Sequence, residues 1–391
     1  MQNPVRKRET FYLAGYDPRG ARQYYNLYKK EAALQEKVNA MHMDISARKR
    51  SDAHMQSWQI RSSSTINNNL YTTQTNYHHL EWDDLIRKVW KKNMLSLFKD
   101  LFYVLKHYVF TGIIFKYAKT APTQMIAAFY PVLYLFTALY LSYILFSFFF
   151  TFLSLYFHGL LSLCISLVSA YALMRFFLFL GNKMAVFWLL RIYLFALKYV
   201  YEEDSALEER LEAFATYIRN TLLASEKNAV DEVLIVSHSV GTIIAIPIMA
   251  KVLQAGVSKE ALSKVSIMTL GECIPIVSFL PDADTYQEQM LTLASEDSLC
   301  WLDYTSAIDG ACFPLMDFYQ HSGIEIEKYQ KPFYLSPRFH TLFSMEHYAA
   351  LRKNRYLTHF IYLHATDYAG VYDFFKMTAG HQRLCSYMGE N

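Results

Sequence analysis

From Thr120 to Met174 the chain runs for 55 residues without an Asp, Glu, Lys or Arg, while both ends mix apolar and polar positions in the ordinary way. A helix that crosses a bilayer needs about 20 apolar residues, so the stretch from Met125 to Phe177 is long enough for two. His158-Gly159 near its middle offers a break. The pattern predicts one span at about 125–150 and a second at about 155–180, joined by a very short turn. Residues 100–118 and 184–200 are also apolar but carry Lys or Arg at intervals. That is the pattern of amphipathic helices lying in the membrane interface or packed on the domain.

The flanking sequence has a different rhythm. Residues 9–14 predict a short strand, stopped by Gly15-Tyr16-Asp17-Pro18-Arg19-Gly20, and a helix follows from about Ala21. Residues 51–75 are rich in Ser, Thr and Asn and predict at most a short strand at 57–61. A strand ends at Trp82, and Asp83-Asp84 open a helix, since acids favour a first turn. Apolar residues at helical spacing predict an amphipathic helix over 205–225. Beyond it come strands at 232–236, 265–270, near 299–304 and near 331–336, with a helix at 240–254 and a last helix after about Asp367. Strands alternating with helices predict an α/β fold with a doubly wound, mostly parallel sheet. The chain then divides into an N-terminal part at 1–99, a membrane insertion with two transmembrane helices at 100–200, and a C-terminal part at 201–391.

Composition sharpens this picture in three places. Hydrophobic residues make up 53% and charged ones 19%, and the excess is the apolar block. A net charge of +3 leaves no nucleic-acid footprint. Lys116 and Lys119 precede the block, and Arg175, Lys183, Arg191 and Lys198 follow it. The positive-inside rule therefore puts both flanks and the polar domain on the cytoplasmic side of the inner membrane. The first thirty residues carry charges throughout, so no cleavable signal peptide is expected. Five scattered cysteines predict a reduced compartment and no disulfide framework.

Candidate chemistry centres on Ser239. Val233-Leu234-Ile235-Val236 suits a strand buried on both faces, Ser237-His238-Ser239-Val240-Gly241 is a turn, and an apolar helix follows. Strand, tight turn and helix are the context of a G-x-S-x-G nucleophile elbow, whose flanking positions must be small. Gly241 meets that need, and Ser237 stands where the first Gly usually is. The elbow puts Ser239 at a helix N-terminus, where the N–H of Val240 can face an oxyanion. The bland alternative is an N-cap serine.

With "VSHSVGT" and the early "YLAGYDPRGA", the chain resembles the α/β-hydrolase superfamily of serine esterases and lipases, and within it bacterial membrane-anchored members. The resemblance implies the order oxyanion-loop strand, nucleophile, acid, histidine. The N–H of Tyr16 would then be the second oxyanion donor, and the superfamily's first two strands, at the sheet edge, would be missing. In "SLCWLDYTSAIDGACF", Asp309 resembles the family's acid, with Asp303, Asp282 and Asp284 as rivals. His359, in His359-Phe360-Ile361-Tyr362, resembles the His-x-x-Tyr loop before the final helix, and His340 and His364 remain alternatives. His238 would shape the pocket rather than act as base.

The activity implied is hydrolysis of an ester or thioester, with a lipid bilayer and an acylated or lipid-like substrate as partners. No HExxH, GxGxxG or P-loop pattern occurs, so neither metal nor nucleotide cofactor is expected. An acyltransferase, or an inactive scaffold of the same fold, is the alternative. A transport component is disfavoured, because the block from Thr120 to Met174 contains no Asp, Glu, Lys or Arg to build a pathway.

Overall fold

The computed structural model describes residues 4–90, 94–227, 229–325 and 332–389. The chain forms two compact units, Met1–Lys92 with Tyr199–Asn391, and Asn93–Lys198.

The first unit is α/β. Its described strands are β1 (Lys7–Leu13), β2 (His42–Ile45), β3 (Lys49–Asp52), β4 (Met55–Ile66), β5 (Asn69–Leu80), β6 (Glu232–His238), β7 (Val265–Leu270), β8 (Cys300–Tyr304) and β9 (Phe333–Leu335). They make one sheet in the order β2-β4-β5-β1-β6-β7-β8-β9, with β3 paired to β4. From β5 to β9 every pairing is parallel, and only β2, β3 and β4 join antiparallel. The central strands are buried on both faces, as a covered parallel sheet requires: Leu234 and Val236 point one way, Val233 and Ile235 the other, and none is exposed.

One layer holds α1 (Ala21–Asn39) and the C-terminal segments, whose Tyr24, Tyr28, Phe339, Tyr362 and Phe375 share a core with Tyr12, Val236 and Leu302. After β5 comes α2 (Asp83–Trp90). Further on, α8 (Ser205–Lys227) and α10 (Asp284–Ala294) both pack on α9 (Gly241–Gln254). Arg8 and Glu232 tie β1 to β6 by a fully buried ion pair at 2.7 Å. A buried pair is tolerable only when its remaining hydrogen-bonding capacity is met. Here Arg8 also donates to the carbonyls of Gly380 and Gln382, and Glu232 accepts from Ser266 Oγ and the Leu384 N–H.

The long β4–β5 hairpin corrects the expectation of a polar loop with a strand no longer than 57–61. Its strands are 12 residues each, and Asn67 and Asn68 turn the chain at φ 51° and 63°. Asparagine tolerates that region, which a two-residue hairpin turn needs. Only the inner half is buried, where Trp58 lies opposite Tyr77 with ring centroids 4.7 Å apart. The outer half is exposed, so Ser, Thr and Asn can fill it. The hairpin, with β2, also occupies the sheet edge expected to lack strands.

A second correction concerns cysteine. Cys300 and Cys385 form a disulfide, with Cα atoms 6.0 Å apart. Their separation of 85 residues gives no sequence signature, because the pairing arises only when the C-terminal turn folds back on β8.

The second unit is helical: α3 (Met94–Val109), α4 (Ile113–Thr120), α5 (Pro122–Leu153), α6 (Gly159–Lys183) and most of α7 (Val186–Tyr201). The helices α5 and α6, of 32 and 25 residues, are long and apolar enough to cross a membrane. They pair through small residues. Ala128, Ala138 and Ser142 of α5 and Ser162, Ser166 and Gly181 of α6 are buried, the composition expected where helix backbones approach closely. Large side chains face out, among them Leu133, Phe136, Leu139, Leu163, Val168 and Phe176.

Candidate active site

In an open α/β sheet, ligand chemistry gathers beyond the carboxyl ends of the strands. Tyr16 follows β1, Ser239 follows β6, Cys273 follows β7 and Asp309 follows β8. These strands are neighbours and parallel, so their loops converge on one edge.

Ser239 sits between β6 and α9 at φ 56°. A non-glycine residue in that region is strained, by about 1–3 kcal/mol, and persists only where its surroundings impose it. Here they do. The Ser239 N–H donates to the Leu270 carbonyl at 3.0 Å, and its carbonyl accepts from the Thr242 N–H at 2.9 Å and Thr242 Oγ1 at 2.6 Å. Gly241 lies so close to β1 that a Cβ there would fall 2.4 Å from the Leu13 carbonyl oxygen and 2.7 Å from that of Ala14. Only glycine fits, and the contact brings the loop after β1 against the turn. A Cβ on Gly15 would in turn fall 2.8 Å from Ser239 Cβ and 3.2 Å from Ser239 Oγ. Ser237 is fully buried in β6, in register with Leu13 and Thr269, and a hydroxymethyl is accommodated there.

The loop carrying Tyr16 is braced from both sides. Trp82 Nε1 donates to the Ala14 carbonyl at 3.0 Å, and the Tyr16 ring packs on Trp82 and Trp90. Arg19 grips Asp17 with Nε and Nη2 at 2.6–2.9 Å, and its guanidinium lies 5.4 Å from the ring centroid of Phe360.

Phe360 closes α11 (Arg355–Phe360), which also carries His359. The His359 Nδ1–H donates to both oxygens of Asp309 at 3.0 Å, and both side chains are essentially inaccessible. Asp309 Oδ1 also accepts the Ala311 N–H at 2.9 Å. A neutral imidazole that donates through Nδ1 carries its lone pair on Nε2, the tautomer a general base needs. Cys273, after β7, lies between the serine and the loop that carries the acid. Its Sγ is 3.9 Å from Ser239 Oγ and 3.4 Å from the Ala311 carbonyl oxygen. Tyr362 secures the acid loop, its hydroxyl accepting the Ser306 N–H at 3.0 Å.

No protein-family model, curated protein or solved structure matches this chain. What the site can do has to follow from its own geometry.

The structure thus pairs Asp309 with His359 and sets His359 against His238, the residue before Ser239, with the backbone of Gly15 beside the serine and Val240 as the first residue after it. The rival residues go elsewhere. His340 is exposed on the short helix Phe339–Leu342, and His364 faces Glu31 at 3.6 Å. Asp282 and Asp284 are exposed, the latter in the first turn of α10. Asp303 is buried and accepts from Thr269 Oγ1 at 2.5 Å.

Sequence reasoning missed two groups. Cys273 touches the serine, and burial pushes its thiol well above the usual range, so it is a neutral thiol rather than a nucleophile. Glu272 and Asp303 form a buried carboxyl pair beside it. Burial pushes both up, Asp303 to about 7, and the Asp303 charge raises Glu272 further. The signal available was position: Glu272-Cys273 comes directly after the strand neighbouring the nucleophile strand. Among the described residues no His, Cys, Asp and Glu cluster could hold a metal.

Proposed function

We propose that the protein is a serine hydrolase of the α/β-hydrolase type, anchored in a membrane by α5 and α6, which cleaves an ester or thioester of a lipid-like or acylated substrate. The observation that carries this reading is the strained Ser239 on a strand–turn–helix elbow, next to His238, whose ring meets the main chain of His359 in a buried His359–Asp309 pair. An N-cap serine needs neither the positive φ nor the pair.

In this mechanism His359 Nε2 takes the proton of Ser239 Oγ as the oxygen attacks the carbonyl carbon. The N–H groups of Tyr16 and Val240 receive the charge on the carbonyl oxygen, each worth on the order of 3 kcal/mol in a desolvated site. Asp309 holds the ring and stabilises its imidazolium form. That imidazolium returns its proton to the departing alcohol or thiol as the intermediate collapses to an acyl-enzyme. Water, deprotonated by the same nitrogen, then attacks and releases the acid, and Oγ recovers its proton. A membrane anchor and the aromatic side chains of Tyr16, Trp82 and Phe360 around the site favour an apolar acyl group. The basic flanks of the two spans support a cytoplasmic catalytic unit.

The test is covalent labelling of the detergent-solubilised chain by a fluorophosphonate. Wild type is expected to label and Ser239→Ala to remain dark. A folded wild type that never labels would sink the hydrolase reading and leave an inactive scaffold.

A further inference from the structure

We propose that His238, the residue before the nucleophile, is the positioning residue for the general base: its ring N–H holds the backbone carbonyl of His359, so that one strand end sets the place of both serine and histidine. The proposal rests on the serine-hydrolase reading of the site and assigns a role that the triad does not contain.

The contact itself fixes the chemistry. His238 Nε2 lies 2.8 Å from the His359 carbonyl oxygen. A carbonyl only accepts, so Nε2 carries the hydrogen. The partner is a carbonyl in the last turn of α11, and carbonyls of a last turn lack intrahelical donors. The His238 ring is fully buried, packed 4.9 Å from the His359 ring, 5.3 Å from Phe360 and 6.1 Å from Tyr362. Its Nδ1 meets no donor among the described residues. A buried polar atom without a partner is costly, and an apolar residue would avoid that cost. The bond through Nε2 is the compensating feature.

His238 also stays neutral through the reaction. Burial lowers its pKa to about 3, and the neighbouring charge of His359 lowers it further. When His359 takes up the serine proton, His238 therefore does not compete for it and keeps its N–H on the carbonyl. His359 is then held at two points. Asp309 orients the ring through Nδ1, and His238 sets the main chain from which the ring projects. His238 ends β6, paired with Leu270 of β7, and the next residue is Ser239. The distance from nucleophile to base thus depends on one short, rigid piece of chain.

The test compares His238→Gln, His238→Asn and His238→Phe, by fluorophosphonate labelling rate and by hydrolysis of para-nitrophenyl butyrate. Glutamine places an amide N–H near the position of Nε2, asparagine is too short, and phenylalanine has no donor. A misplacement of about 1 Å costs on the order of 100-fold in rate. The Asn and Phe variants are therefore expected to lose about that factor in kcat with KM little changed, while Gln recovers to within about tenfold of wild type. A folded Phe variant reacting at the wild-type rate overturns the proposal. So does a Gln variant as slow as Asn, a comparison that stands even if the Phe variant fails to fold. A folded wild type that neither labels nor hydrolyses removes the hydrolase reading, and this proposal with it, before any variant is compared.

Discussion

Replacing Asp309 by Asn changes one atom and should invert the role of His359. The carboxylate accepts three contacts: the Nδ1–H on each oxygen at 3.0 Å, and the Ala311 N–H on Oδ1 at 2.9 Å. An amide offers one accepting oxygen and one NH2. If the oxygen keeps the Ala311 N–H, the NH2 faces Nδ1. Two donors cannot share that space, so the imidazole moves its proton to Nε2 and loses the lone pair that would take the serine proton. If the amide flips, the Ala311 N–H is left facing the NH2 in a site closed to water. The charge that steadies the imidazolium is lost in either case. In Ser-His-Asp sites this exchange costs on the order of 10⁴ in rate, or roughly 5.5 kcal/mol at 1.36 kcal/mol per factor of ten. The assay is the second-order rate of fluorophosphonate labelling, with circular dichroism to establish that the variant folds. A drop of roughly 10³ to 10⁴ is expected. A folded Asp309→Asn chain that labels within about tenfold of wild type would refute the tautomer reasoning, since tenfold is only 1.36 kcal/mol.

Other perturbations test other parts. Gly241→Ala drives a methyl into the carbonyls of Leu13 and Ala14, so denaturant unfolding should show a loss of about 2 kcal/mol, typical of an overpacked core; unchanged stability would mean that β1 and the elbow can separate freely. Asp303 has a folded pKa raised to about 7, so the folded state binds its proton more tightly than the unfolded chain does. Stability from this group is full below about pH 4 and is lost as pH rises through about 7; Asp303→Asn should flatten that decline in urea unfolding, and an identical slope would count against it. Leu139→Arg with Val168→Arg puts a charge on the outward face of each apolar helix, at a cost of roughly 3 kcal/mol per helix if these span a bilayer; the double variant should be released by alkaline carbonate while wild type stays with the membranes. Cys300 and Cys385 are bridged in the structure, whereas a reducing cytoplasm would hold both as thiols; mass spectrometry of thiols trapped in intact cells separates the two, free thiols supporting the proposed cytoplasmic placement and a closed bridge placing the catalytic unit on the other side.

The parts of the fold legible in the sequence are those whose pattern is local. The apolar block between Thr120 and Met174 contains all of α5 and α6 from Gly159 to Met174, because length and lack of charge are enough to mark such helices. Val233–Val236 reads as a strand buried on both faces, and Gly241 marks the turn after it. The hairpin β4–β5 was not legible. Its outer half is exposed, so Ser, Thr and Asn carry no apolar rhythm on either side of the Asn67-Asn68 turn. Contacts between distant segments were equally silent. Nothing local in "LGECIP" says that Cys273 will lie 3.9 Å from Ser239, or that Cys385 will meet Cys300. The choice among His340, His359 and His364 belongs to the same class, because it depends on which ring meets a carboxylate across 50 residues of chain.

The departures from pattern point to function more than the agreements do. An apolar strand end would be expected to finish on small or apolar side chains, yet β6 closes with His238, buried and half-satisfied, followed by Ser239 in a strained conformation. Beside them Glu272 and Asp303 bring two carboxyls into an interior where one accepts from the Ile274 N–H and the other from the Thr269 hydroxyl. Each of these costs stability, and a purely structural turn could dispense with all of them. Several of these costs fall together at the carboxyl ends of β6, β7 and β8, while elsewhere in the sheet core Thr75 and His79 of β5 also bury polar atoms beside aliphatic and aromatic packing. Strain at Ser239 and a His–Asp bond in one place are what the proposed hydrolysis would need, and the amide exchange at Asp309 is the smallest change that would test it.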